Sequence, residues 1–263
     1  MLSLLKKVYK GLKAPFQFEP VKQTGSYTHS HLNTGQGYQK AFSAYPGRKI
    51  TWDIEKEIIS TILSGDKSID KHLDFAAGTG RIAKYLEDFC NQQYLLDVSA
   101  EMLSVARNNL KNAVLFQRNF KDGLPEVEDN SVDLITAFRF FPNAEPELRN
   151  SAMKFICTKV KQNGLVICNN HRNFWSIPYL MRRLTFSGGI YGMTNKDMIN
   201  LANKNGLTLA RYFSNGIIPQ SEKMALLPWK LTEYIEKTTF QLFGERHRLG
   251  YNVVFVFELK EYN

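Results

Sequence analysis

Leu73-Asp74-Phe75-Ala76-Ala77-Gly78-Thr79-Gly80 is the stretch that decides how this 263-residue chain is read. Residues 71–75 form a short apolar run with strand character. Small residues follow, and the amphipathic segment 79–89 predicts a helix. A strand, a glycine turn and a helix together let the backbone approach a ligand closely, because no side chain intervenes and the N–H groups at a helix start lack intrahelical partners. The turn is therefore expected to hold a polar ligand.

Outward from the turn, short apolar runs alternate with amphipathic ones. Strands are expected near 71–75, 93–97, 113–118, 131–137 and 164–169, with helices near 79–89, 99–110 and 146–161. Such alternation specifies parallel strands joined by crossover helices, hence a sheet covered on both faces. Asn195–Asn205 reads as a further helix, Leu207–Phe213 as a strand and Tyr251–Leu259 as the strongest strand signal in the chain. Upstream, Ile54, Ile58, Ile59 and Ile62 predict a helix over 52–63. Residues 214–250 contain Pro219, Pro228 and a helix near 229–243, too much for a turn, and read as a cap insertion.

Two further segments precede this region. Residues 22–50 are rich in Gly, Ser, Thr, Tyr and His, and read as a loop with one helical piece. Residues 1–14 place Leu2, Leu5, Val8, Tyr9 and Leu12 at helical spacing between four lysines. A helix folded against its own domain is the preferred reading of 1–14, and contact with a membrane surface or a partner is the alternative. The expected organisation is an N-terminal helix and lid segment, 1–50, followed by one α/β domain, 51–263, carrying the cap insertion 214–250.

Composition narrows the class. With 43% hydrophobic residues the chain can bury a substantial core, and no run approaches the roughly 20 apolar residues of a membrane-spanning helix. No secretory signal is evident in the first 30 residues, so a cytoplasmic location is expected. Cys90, Cys157 and Cys168 form no C-x-x-C pair and read as buried thiols. No His/Cys/carboxylate cluster has metal-ligand spacing, so no metal is expected. The net charge of +9 is uneven. Residues 71–150 carry nine Lys/Arg against twelve Asp/Glu, whereas 151–263 carry fifteen against seven. The basic excess thus lies outside the glycine turn's own region, which suits a neutral to acidic substrate or an anionic surface and equally suits plain solubility.

Taken alone, Gly78-x-Gly80-x-x-Ala83 satisfies a dinucleotide fingerprint, with Asp97 nineteen residues beyond Gly78 as the ribose-binding acid. Asp74 argues otherwise. A carboxylate four residues before Gly78 would repel a pyrophosphate but can hold an ammonium group, directly or through water. Asp74-x-x-x-Gly78-x-Gly80, then Leu96-Asp97-Val98-Ser99-x-x-Met102-Leu103, Asn119-Phe120, Leu124-Pro125 and Asn130-Ser131-Val132-Asp133-Leu134-Ile135 resemble the class I S-adenosylmethionine-dependent methyltransferases.

The resemblance covers about residues 70–170 and implies the fold and the cofactor. The expected fold is α/β: a Rossmann-like, doubly wound, mostly parallel seven-stranded sheet with an antiparallel last strand, plus N-terminal and C-terminal lid segments. It assigns Asp74, Ala76, Gly78 and Gly80 to the methionine moiety of S-adenosylmethionine and Asp97, with Val98 beside it, to the ribose. It places Met102 on the adenine and Asn119 and Phe120 at the adenine edge. Two departures stand out: Ala76 replaces the first glycine of the family turn, and Asn119 stands where the family often has Asp. Tyr38, Arg48 and Trp52 lie in a segment that commonly folds over the cofactor in this family.

The reacting face should lie beyond the fourth and fifth strands, because ligands of such sheets sit outside the strands' carboxyl ends. There stand Phe138, whose ring suits a sulfonium, and Arg139 and Arg172, which can clamp an acidic acceptor. His171 is the candidate general base if the acceptor is a hydroxyl, with His29 and His31 as rivals on the acceptor side. The segment after the fourth strand, Ala137-Phe138-Arg139-Phe140-Phe141-Pro142-Asn143, is not the N/D-P-P-Y/F tetrapeptide of base and glutamine amino methylators. Nucleic acid is accordingly disfavoured as substrate, and O-methylation of a small molecule, such as a sugar or glycan precursor, is favoured. Two other readings stand behind it: a non-catalytic RNA- or partner-binding module, motivated by the basic C-terminal portion, and an NAD(P)-dependent oxidoreductase.

Overall fold

A computed structural model of the chain describes residues 44–64, 69–185, 192–220 and 224–259, together with Gly37 and Lys40. The N-terminal segment 1–14, His29, His31 and Tyr38 lie outside the described residues.

Seven strands form one sheet: β1 (Ile69–Phe75), β2 (Cys90–Asp97), β3 (Ala113–Gln117), β4 (Val132–Ala137), β5 (Val160–Asn170), β6 (Leu207–Asn215) and β7 (Asn252–Leu259). Their order is β3-β2-β1-β4-β5-β7-β6. The pairs from β3 through β5 are parallel, and β7 inserts antiparallel between β5 and β6. The expected fold class is the observed one, including the antiparallel last strand. The strand order reverses between β1 and β4, so the carboxyl ends of these strands open the crevice where such sheets bind ligands.

The helices are α1 (Pro46–Leu63), α2 (Arg81–Tyr85), α3 (Ala100–Asn109), α4 (Pro146–Lys159), α5 (Ile177–Thr185), α6 (Asn195–Lys204) and α7 (Trp229–Phe243). Local chemistry sets their starts. Pro46 and Pro146 occupy the first turns of α1 and α4, where a missing N–H costs nothing. Ser99 caps α3 by accepting the Met102 N–H at 3.2 Å. Thr194 and Asp197 form a reciprocal capping box on α6.

The structure corrects three expectations. The helix after the glycine turn runs over 81–85 rather than 79–89, because β2 already begins at Cys90 and leaves only a turn between them. β5 begins at Val160 rather than 164, which ends the preceding helix at Lys159. α5, with Pro178 in its first turn, occupies a stretch in which no element was expected.

Two apolar layers cover the sheet. One joins Leu73, Phe75, Ile135, Val166 and Phe255 to Met153 and Ile156 of α4 and Met198 of α6. The other joins Leu134, Ile167 and Val254 to Ile50, Ile54 and Ile58 of α1 and Phe240 of α7. Helix α7 is thereby anchored on α1. Its Glu236, 1% exposed, accepts the N–H groups of Gly216 at 2.8 Å and Ile218 at 2.6 Å, which pins the chain leaving β6. Among the three cysteines, Cys168 is buried and Cys90 and Cys157 are half-buried. All three are free thiols whose ionisation burial opposes.

Candidate cofactor and acceptor site

The glycine turn is shaped by three consecutive left-handed positions at alternate residues: Ala76 at φ 55°, Gly78 at 58° and Gly80 at 70°. For Ala76 this conformation is strained, and it occurs where the chain must reverse sharply off β1. The two glycines do different jobs. A Cβ on Gly80 would lie 3.1 Å from Ala106, Leu110 and Leu95, so its absence lets α2 close onto β2 and α3. A Cβ on Gly78 would meet nothing within 4 Å, so that face of the turn opens onto free space.

Asp97, at the end of β2, is tied into the same turn. Its Oδ2 accepts the Gly78 N–H at 2.8 Å and its Oδ1 accepts the Ser99 N–H at 2.9 Å. Burial raises its pKa from the usual carboxylate range, and the N–H groups of Ser99, Gly78 and Val98 offset part of that rise. Each carboxylate oxygen has a second lone pair, so both can still accept from a ligand diol.

Asp74 sits one strand over, 2% exposed. Thr136 donates its hydroxyl proton to Asp74 Oδ1 at 2.8 Å, whereas Oδ2 is buried with no hydrogen-bond partner. Burial pushes the Asp74 carboxyl up to about 7. The Thr136 hydroxyl, the Ala83 backbone N–H and Arg81 pull the other way, and Asp97 adds to the rise. An unpaired buried carboxylate oxygen beside an open glycine face is a half-built site. It wants a cationic donor, and the ammonium of an amino acid is one.

The remaining candidates of this half lie around it. Val98 is 43% exposed, and Met102 is buried at 7% on the first turn of α3. Asn119 accepts the Lys121 N–H at 3.0 Å and so caps a short 3-10 turn over Phe120–Asp122. That turn sets the Phe120 ring 5.3 Å from Phe75 and 6.5 Å from Phe140. Phe138 is 8% exposed and packs in the layer shared with α1 and α7.

Beyond β4 and β5 the acceptor candidates separate. Arg139 is left-handed at φ 63° and is held on both sides: its N–H donates to Asn169 Oδ1 at 2.6 Å and its C=O accepts from Asn143 Nδ2 at 2.7 Å. A bulky residue kept in this conformation by two side-chain amides, the fully buried Asn169 and the half-buried Asn143, is a pattern found at functional sites. His171 and Arg172 lie in the turn after β5, both half-buried. Asn170 Oδ1 accepts the Arg172 N–H at 3.2 Å and fixes that turn. Arg48 stands on the first turn of α1, half-buried.

Several groups at this edge carry no motif. Glu55 of α1, 1% exposed, pairs with Arg81 at 3.0 Å and accepts from Asn252 Nδ2 at 3.1 Å. Arg81 in turn lies over the Trp52 ring at 4.0 Å, so Trp52 supports the turn's first helix through a cation–π contact. Asn169, fully buried, donates to Asn252 Oδ1 at 2.9 Å while holding Arg139. The run of asparagines at the ends of β5, β6 and β7 was visible in the sequence, but their mutual contact depends on the antiparallel β7 register. Among the described residues no group of His, Cys, Asp and Glu is placed to hold a metal ion, and no helix is long and apolar enough to cross a membrane.

Comparison with known proteins agrees with this architecture. Residues 73–168 match the family described as a methyltransferase domain. No curated protein matches the chain by sequence. A structure described as an S-adenosylmethionine-dependent methyltransferase and possible histamine N-methyltransferase from Thermotoga maritima superposes with a TM-score of 0.63 at 15% identity. That match covers 89% of this chain and 100% of the other. Magnesium protoporphyrin IX methyltransferase from Synechocystis PCC 6803, with bound S-adenosylhomocysteine, gives 0.58 at 11% identity over 88% and 96%. A TehB-like S-adenosylmethionine-dependent methyltransferase from Corynebacterium glutamicum gives 0.53 at 16% over 88% and 98%. At these identities the likeness is one of fold.

Proposed function

We propose that this chain, whose residues 73–168 form a methyltransferase domain, transfers a methyl group from S-adenosylmethionine to a small-molecule hydroxyl. The observation that carries the donor half is the pairing of a buried, unpartnered Asp74 Oδ2 with an open Gly78 face and an Asp97 carboxylate fixed at the same turn. These residues fit a zwitterionic tail followed by a ribose. They do not fit a diphosphate, which Asp74 would repel.

When bound, the cofactor supplies an electrophilic methyl group on a sulfonium, which an acceptor takes by in-line displacement. The chain's part is to bind, orient and exclude water. Asp74 holds the ammonium, Ala76, Gly78 and Gly80 give the backbone surface, and Asp97, beside Val98, takes the ribose hydroxyls. Met102 packs on the adenine, with Asn119 and Phe120 at its edge. Phe138 and Arg48 are further donor-side candidates in this reading, as is Tyr38, which lies outside the described residues.

On the acceptor side, Arg139 and Arg172 meet an acidic group, and His171 takes the hydroxyl proton, with His29 and His31 as rivals. The strained, doubly held Arg139 supports an acceptor of defined orientation. The structural neighbours are described as acting on quite different small molecules, one on a porphyrin and one as a possible histamine methyltransferase, and in our reading the segment 214–250 rather than the shared fold selects the acceptor. A sugar or glycan precursor is the class we favour. Calorimetric titration with S-adenosylmethionine and with NADH tests the donor. Incubation with fractionated metabolites, followed by S-adenosylhomocysteine release, tests the acceptor. Binding of NADH alone would overturn the donor assignment. Salt-dependent RNA retention without any S-adenosylhomocysteine release would favour a non-catalytic binding module.

A further inference from the structure

Behind the glycine turn, β1, β2 and β4 bury a chain of polar side chains that no motif accounts for. The two-residue period of a strand puts His72 and Asp74 on one face of β1. Register then sets Gln93 of β2 opposite His72, and Thr136 of β4 opposite Asp74. All four are buried. Gln93 Nε2 lies 2.9 Å from the Ala83 carbonyl oxygen and 3.3 Å from His72 Nδ1. His72 Nε2 lies 2.8 Å from Thr136 Oγ1, which lies 2.8 Å from Asp74 Oδ1.

With Asp74 ionised, the form that holds a cationic donor, the proton inventory fixes the direction of every bond. A carboxylate only accepts, so the single hydroxyl proton of Thr136 goes to Asp74. The Thr136 oxygen must then accept from His72, whose proton sits on Nε2. Burial pulls His72 down to about 3, so the ring is neutral and its Nδ1 is bare. That nitrogen accepts from Gln93, whose amide also donates to the Ala83 carbonyl on α2. The chain therefore starts at the helix following the glycine turn, runs one way and stops at Asp74. It stops unfinished, with Oδ2 buried and unpartnered. A buried polar chain serving stability alone would end satisfied, because an orphaned carboxylate oxygen costs more than the chain contributes.

We propose that Thr136, oriented by His72, is a positioning residue that clamps Asp74 Oδ1 and so aims Oδ2 at the ammonium group of the methyl donor. This rests on the assignment of Asp74 made above. Without the Thr136 donor the carboxylate can turn about its terminal torsion, and the direction of Oδ2 is lost. The effect should fall on the amino-acid end of the ligand and spare the adenosine end.

Two ligands separate the ends: S-adenosylhomocysteine, and 5′-methylthioadenosine, which shares the adenosine and thioether but has no amino-acid tail. Thr136→Val keeps the β-branched shape and removes the donor. It is expected to weaken S-adenosylhomocysteine binding by roughly 10-fold, the scale of one hydrogen bond to a charged group, with 5′-methylthioadenosine affinity within about twofold. Thr136→Ser should restore the first affinity, and His72→Phe should give a smaller loss in the same direction. Should the valine variant not fold, Thr136→Ala replaces it. Equal weakening of both ligands, or of neither, overturns the proposal. Asp74→Asn separates the two levels of the argument. If it loses S-adenosylhomocysteine selectively while Thr136→Val does not, the Asp74 assignment stands and the positioning role falls. If it leaves the ratio of the two affinities unchanged, both fall.

Discussion

Asp97 Oδ2 accepts the Gly78 backbone N–H at 2.8 Å, so the carboxylate at the end of β2 and the glycine turn at the end of β1 form one rigid unit. Replacing Asp97 by Ala removes the acceptor of two N–H groups, those of the half-buried Gly78 and the buried Ser99, as well as the ribose contact proposed for it. Affinity for S-adenosylhomocysteine should fall by roughly 10- to 100-fold, with a loss of about 1–3 kcal/mol in stability that leaves the domain folded. Calorimetry paired with far-UV circular dichroism checks this, and an affinity within twofold of the parent would remove Asp97 from the site.

Donor binding should depend on pH through Asp74. Its folded carboxyl is raised to about 7, with Thr136, the Ala83 N–H, Arg81 and Asp97 around it. A raised carboxyl stabilises the fold fully below its unfolded pKa and loses that contribution as pH rises through about 7. The ligand-free protein should therefore lose stability between pH 4 and 7 from this group, while affinity for the cationic donor rises over pH 6 to 8. Titrations in two buffers of different ionisation enthalpy should show proton release on binding at pH 6, and Asp74→Asn should abolish it.

The two glycines of the turn should fail differently. Gly80→Ala brings a methyl group to 3.1 Å from three side chains at φ 70°, so overpacking adds to backbone strain and about 2–4 kcal/mol of stability is lost. Gly78→Ala meets no protein atom and costs only the strain, about 1–2 kcal/mol, while its methyl group enters the ligand's space. Thermal melts should rank Gly80→Ala as the less stable, and ligand titrations should show Gly78→Ala losing affinity despite a nearly native melt.

Arg139→Gly relieves a left-handed residue and should hold or raise Tm, whereas Arg139→Ala, which keeps the strain, should not. Both are expected to retain S-adenosylhomocysteine binding and to lose turnover once an acceptor is in hand. A parent-like turnover in either variant would place the acceptor elsewhere.

The fold was legible because strands and helices alternate in the chain and the first two strands carry an acid at or next to their carboxyl ends, Asp74 on β1 and Asp97 on β2. Boundaries were less so. Ile82 and Leu86 continue a helical pattern past Tyr85, but pairing of Cys90 with Ile69 claims the chain for β2 and cuts α2 short. α5 carries Pro178 in its first turn, where a proline is no obstacle to a helix, and no element was expected over this stretch. In the site, Asp74, Gly78 and Asp97 belong to a local pattern and could be named from it. His72 and Thr136 could not, since their relation exists only once β1 and β4 are in register. The same holds for Glu55 with Arg81, residues 26 apart whose pairing requires α1 to lie across the start of α2.

Asn169 gives its carbonyl oxygen to the Arg139 N–H and its amide to Asn252, and it is fully buried between them. One neutral side chain thus joins the loop after β4 to the antiparallel strand β7. The same Asn252 donates to Glu55, the partner of Arg81 at the start of α2, so a shift on either flank of Asn169 reaches the glycine turn through this amide. Asn169 is in that sense the molecule's keystone: the arch on either side can be recut, provided the stone that both sides lean on keeps its shape.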